Sequence, residues 1–130
     1  MMKIDKNIVA TASFLGALTI AIGAFGAHGL KELIGAKALA TFETGVRYQM
    51  YHVFAILVLG ITTIIPSNTK KWAFRFFILG IIFFSGSIYL LSLNSLLPFN
   101  AKMIGFITPI GGLLFILGWL RLGFGAIVNK

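Results

Sequence analysis

The chain has 130 residues, of which 58% are hydrophobic and only 11% charged, and its mean hydropathy is +0.99. That leaves too little polar surface to coat a soluble globule. The absence of cysteine excludes disulfides, thiol catalysis and thiolate metal sites. A net charge of +8 does not read as nucleic-acid binding here, because the bases flank apolar runs as they do beside membrane helices.

Taken in chain order, the first apolar run is the uncharged stretch Asn7 to Leu30, with Ile8 to Ala27 clean throughout. At about 1.5 Å per residue, such a run crosses a hydrocarbon core of roughly 30 Å. It is also longer than a signal-peptide core, so Ala24-Phe25-Gly26 is read as part of a span and not as a cleavage site. The second run, Tyr48 to Ile65, stops at Pro66-Ser67-Asn68. The polar stretch Pro66 to Lys71 reads as a short turn that makes spans two and three antiparallel neighbours. The third run, Trp72 to Leu93, ends at Asn94-Ser95 and the Pro98 loop, and the fourth runs from Met103 to about Ala126. Thr108-Pro109 suits either a cap with proline at the first helical position or a kink after a first helical turn. The kink is preferred, because a helix starting at Pro109 would be short for a membrane.

These runs predict an all-α fold: an integral membrane four-helix bundle in one transmembrane domain over 1–130, with spans at about 7–28, 48–65, 72–93 and 103–126. An even number of spans puts both termini on one side. Lys3, Lys6, Lys70, Lys71, Arg75, Arg121 and Lys130 fall on that side, against Lys31, Lys37, Arg47 and Lys102 on the other. That bias favours cytoplasmic termini in a cell-membrane protein.

Small residues form stripes on two spans: Ala12, Gly16, Thr19, Gly23 and Gly26 on the first, and Gly111, Gly118 and Gly125, seven apart, on the fourth. Such stripes let helices approach closely. They fit internal seams of the bundle, or, for span one, contact with a second copy or another membrane protein. Arg121 lies between Gly118 and Gly125 and is read as snorkelling to the cytoplasmic boundary.

The titratable groups concentrate between His28 and His52. Ala36 to Met50 reads as an amphipathic helical segment before span two, lying at the interface or projecting past it. Gly45 offers a place for it to bend. Glu43 and Arg47 are four apart, as are Tyr48 and His52, so both pairs can meet along one helix. His28, Glu43, Arg47, Tyr48, Tyr51 and His52 thus form a candidate cluster at one membrane boundary. It reads either as a structural latch between spans one and two or as a binding site, since titratable groups within a membrane are functional suspects. Two histidines without a third ligand make a weak metal signature, and no metal or other cofactor is expected.

Gly23-Ala24-Phe25-Gly26-Ala27-His28-Gly29-Leu30 and the eleven residues from Phe42 to His52 resemble the small bacterial inner-membrane family of YgdD and YwdK type. Phe84 to Leu91, Ile107 to Gly112 and Gly118-Trp119 extend the likeness over essentially the whole chain. The resemblance implies a four-span integral membrane protein, and it implies no activity, the family being one of unknown function. The residues themselves favour a non-catalytic scaffold, accessory subunit or binder of lipid or a small molecule. The alternatives are a minimal transporter or channel with the His28–His52 cluster at its mouth, and a membrane enzyme using Glu43 and His52 on a lipid-soluble substrate.

Overall fold

The computed structural model describes residues 3–128. Asp5 opens the first helix: its carboxylate accepts from the backbone N–H groups of Asn7 at 3.0 Å and Ile8 at 3.1 Å, donors that no helical carbonyl reaches. Helix α1 then runs Lys6–Ala27 and ends at His28. A 3-10 turn, Leu30–Glu32, leads through Gly35 into α2, Ala36–Ile61. Helix α3, Ser67–Gly80, continues through a π-helical segment, Ile81–Ser85, into α4, Gly86–Ser92. Two short 3-10 turns, Asn94–Leu96 and Ala101–Ile104, precede α5, Ile107–Ile127. All regular structure among the described residues is helical.

Three stretches, Lys6–Glu32, Ser67–Ser92 and Ala101–Ile127, are long and apolar enough to cross a membrane. Large apolar side chains such as Phe14, Met103 and Ile127 stand more than three-quarters exposed on their outer faces, an arrangement suited to lipid. Helix α2 has the length, 26 residues or about 39 Å, but Glu43, Arg47, Gln49 and His52 lower its mean hydropathy.

The helices do not coincide with the apolar runs. α2 stops at Ile61, four residues short of the run's end, because Pro66 disfavours helical geometry just before it and the chain turns extended at Thr62. The polar stretch read as a short turn is instead the start of α3, with Pro66 at its cap, and it buries Thr69 and Lys70 to 3% exposure each. Lys70 is tolerated inside because its ammonium donates to the carbonyl of Lys3 at 2.6 Å and to that of Thr62, the residue that ends α2. Pro109 is the third residue of α5, where a missing N–H costs no helical hydrogen bond. The turn expected before it is the separate 3-10 turn, set off from α5 by Gly105 and Phe106.

Glycine sets the spacing of each helix pair. Down the antiparallel α1–α2 seam, a Cβ built on Gly16 would stand 3.3 Å from Val53, on Gly23 3.3 Å from Val46, and on Gly26 2.7 Å from the Phe42 ring. At the opposite end Gly60 of α2 receives Val9, with a Cβ there 2.9 Å from its backbone nitrogen. The stripe on α5 faces α3 and the π segment: Gly111 meets the backbone of Phe83 and Phe84, Gly118 the ring of Phe77, and Gly125 the side chain of Thr69. Between these seams lies a core of Ile8, Ala12, Ile56, Leu59, Ala73, Phe77 and Phe115.

Gly45 serves packing: α2 continues unbroken through it, and Tyr89 and Ile88 close over it so that a Cβ would come within 2.9 Å of both. The Ser85 hydroxyl donates to the Gly45 carbonyl at 2.7 Å at the same crossing. Gly111→Ala should therefore lower stability by about 1–3 kcal/mol, since the added methyl meets backbone and not a movable side chain. Gly123→Ala, with nothing within 4 Å, should be neutral or slightly stabilising. Thermal melts of the two variants in one detergent compare them directly.

Candidate functional site

The titratable cluster read from the sequence does not assemble as one site. His28 is exposed at the end of α1, whereas His52 is buried at 4% exposure within α2. Gly16 lies against Val53, and His28 is twelve residues further along α1, so the two histidines stand roughly 18 Å apart along the bundle. Glu43 and Arg47 are exposed, and among the described residues no ion pair joins them; Arg47 donates to the Thr44 hydroxyl at 3.3 Å instead. Glu43 is also nine residues from His52, about 13 Å along one helix, so the two do not form an acid–base pair. Tyr48 and Tyr51 remain together, half-exposed, with ring centroids 5.5 Å apart. Among the described residues no three metal-ligating side chains gather.

His52 has other partners. Its Nδ1 lies 2.7 Å from the Tyr48 carbonyl, one turn earlier, and its Nε2 lies 3.0 Å from the Trp119 indole nitrogen. An indole N–H only donates, so Nε2 accepts and the ring proton sits on Nδ1, donated to the carbonyl. The imidazole stacks on Phe115 at 3.6 Å with planes 7° apart, and Phe77 closes another side at 5.3 Å. Both nitrogens are thus engaged. Beside this ring a groove of about 630 Å3 runs between α2 and α5, walled by Phe84, Leu113, Phe115, Ile116 and Trp119, with Tyr48 at its edge.

A second polar constellation ties α1, α2 and α4. The Gln49 amide donates to the Thr19 hydroxyl at 2.7 Å and accepts from the Tyr89 hydroxyl at 2.6 Å, while Thr19 donates to the Leu15 carbonyl at 2.7 Å. These atoms lie deep among the helices, where an unpaired amide would be costly. Here, and not at the histidines, is the polar join between the first two helices. Thr19 was visible in the sequence only as a small residue in a stripe. Gln49 carries the signal that could have found the join, an uncharged polar residue inside an apolar helix face.

The stretch from α3 to α4 is steered by its π segment. Gly80 and Gly86 flank the five residues Ile81–Ser85, whose wider turn is a device often found beside functional sites. Phe84 of this segment walls the groove, and its ring packs on Tyr48 at 5.1 Å and Phe115 at 5.4 Å. Ser85, next in sequence, points inward to Gly45. Tyr89→Phe should cost about 1 kcal/mol by leaving the Gln49 carbonyl oxygen unpaired. Combining it with Gln49→Leu should cost less than the sum of the single changes, as unfolding titrations of the four proteins would measure.

The family described as "Protein of unknown function (DUF423)" matches residues 22–112. A UPF0382 membrane protein of Haemophilus influenzae is 37% identical over 88% of this chain and 89% of its own length. One from Staphylococcus saprophyticus is 45% identical over 85% of this chain and 92% of its own. The UPF0382 inner membrane protein YgdD of Escherichia coli K12 is 37% identical over 92% and 88%. No solved structure matches. The Phe42–His52 segment and the π segment both fall within the matched region, and the chain belongs to this DUF423 family of membrane proteins, to which no activity is assigned.

Proposed function

We propose that the chain is a four-span inner-membrane protein with both termini in the cytoplasm, and that it binds a membrane-soluble molecule in the groove beside His52. α2 supports the fourth crossing: its charged residues Lys37, Glu43 and Arg47 all lie in its first half, its second half is free of charge, and its interior polar groups, Gln49 and His52, turn inward to protein partners. The basic residues Lys3, Lys6, Lys70, Lys71, Arg75 and Arg121 gather at the end where the α2–α3 connection meets the start of α1 and the end of α5. That clustering is the charge pattern of a cytoplasmic face.

The observation that carries the binding reading is the groove's chemistry. Its walls are apolar and aromatic, and the histidine at its base has both nitrogens committed, so the site offers shape and one stacked ring system without a free base. The occupant that fits is an acyl- or isoprenoid-type chain with one polar group placed against the Tyr48 phenol. This is binding without catalysis by the chain itself.

The absence of cysteine makes the topology testable with single exposed substitutions. Lys37→Cys should react with a membrane-impermeant maleimide from outside intact cells, and Asn68→Cys only after the membrane is opened. Labelling of both from one side would remove the fourth span. For the groove, Trp72→Phe leaves Trp119 as the one indole of the chain. Its quenching by brominated acyl chains should saturate at low mole fraction, and Gly112→Leu should weaken it several-fold, because a Cβ there meets only Phe84, at 3.8 Å, and the longer chain enters the groove. Quenching that rises in proportion to bulk bromolipid and ignores Gly112→Leu would reduce the groove to ordinary lipid contact.

A further inference from the structure

At the basic end of the molecule a second cavity, of about 580 Å3, opens between the start of α1 and the first turns of α3. Lys3, Lys6, Lys70, Lys71 and Arg75 line it, with one carboxylate, Asp5, among them. Counting side chains, the cleft carries five positive charges against one negative. Asp5 offsets only one of them, and its Oδ1 is turned to the N–H groups of Asn7 and Ile8 at the start of α1. Lys70 is the most telling of the five. It is 97% buried, and its ammonium is held by two neutral carbonyls and, among the described residues, by no carboxylate. Two carbonyl dipoles bring no full countercharge, and a low-dielectric wall strengthens the pull of a cation on an anion. Helix α3 begins at this cleft without a side-chain cap, so its positive end adds to the same field.

Below the charges the wall changes character. Ile8 and Phe74 continue the cavity toward the apolar part of the bundle, and Thr11 lies one turn further down α1. On the neighbouring turn Arg75 lies 4.9 Å above the half-exposed Trp72 ring, the kind of amphipathic pair that sits at headgroup level. Cations at the mouth and an apolar strip beneath match an amphiphile with an anionic phosphate at one end.

We propose that this cleft is a binding site for an anionic phosphate group, supplied by the headgroup of a phospholipid of net negative charge whose acyl chain follows Ile8 and Phe74. The site is separate from the groove beside His52 and shares none of its lining residues. The full chain, purified in a neutral detergent, is titrated with dioleoyl phosphatidylglycerol, with dioleoyl phosphatidylcholine and with inorganic phosphate, and binding is read by native mass spectrometry and by the rise in melting temperature. Phosphatidylglycerol should bind specifically and raise the melting temperature well beyond phosphatidylcholine of the same chains. Lys6→Gln combined with Lys71→Gln, both exposed, should weaken it roughly thirtyfold. Lys31→Gln combined with Lys37→Gln, which removes the same charge at the other end, should leave it unchanged. Saturation by millimolar inorganic phosphate with no further gain from phosphatidylglycerol would keep the phosphate site and overturn the lipid as its source. Equal binding of the two lipids, or equal loss in the two double variants, would overturn the site itself. Neither variant touches Trp119 or Gly112, so the bromolipid experiment on the groove stays independent of this outcome.

Discussion

A lipid interior gives a buried polar atom no water to fall back on, and it gives apolar helices little reason to leave lipid for one another. Both conditions press on this molecule in the same way. Helices must come close enough for dispersion forces and hydrogen bonds to hold them, and each polar group drawn inside must find its partner there. Glycine provides the closeness, at Gly111 to the point where α5 rests on the backbone of Phe83 and Phe84. The partners are found too: among the described residues no buried side-chain nitrogen or oxygen lacks one. The Thr19–Gln49–Tyr89 chain, the Ser85 bond to Gly45 and the His52–Trp119 pair all occur where helices approach closely.

The same constraint separates what could be read in the sequence from what could not. Length and apolarity are properties of a segment, so the runs that became α1, the α3–α4 stretch and α5 were legible directly. So were the small-residue stripes, since a step of seven marks one face of a helix whatever lies opposite. Pairings between helices depend on register, and no single segment carries that. Nearness along the chain suggested that His28 and His52 would meet, yet two antiparallel helices joined by a connection bring together residues equidistant from it, and these two are not. His52 instead found Trp119, sixty-seven positions away. Local competition also stayed hidden. Glu43 and Arg47 have the right spacing for a pair, but the guanidinium reaches Thr44 in its own helix.

Charge was legible in sum and misread in detail. The polar stretch at Pro66 looked like a turn because it interrupts two apolar runs. Its proline ends one helix and starts the next, and the lysine beyond is folded inward to hold the carbonyls of Lys3 and Thr62. A residue counted as an orientation signal is thereby also a fastener, tying the start of the chain to the end of α2. Its burial turns a general positive bias into a cavity with a shape.

The π segment has a consequence of another kind. A π turn holds one residue more than the α-helical turn it replaces, so the extra residue is absorbed within Ile81–Ser85 and the helix beyond keeps its phase. Removing a single residue from this segment would make the hydrogen-bond ladder more regular while leaving Tyr89 near Gln49 and Ser87 near Thr108, its partner at 2.5 Å. Removing one from the start of α4, where no wide turn absorbs the change, would instead rotate the positions beyond it by about 100° and swing both side chains off their partners. Along α3 and α4 the place of a deletion therefore matters more than its size.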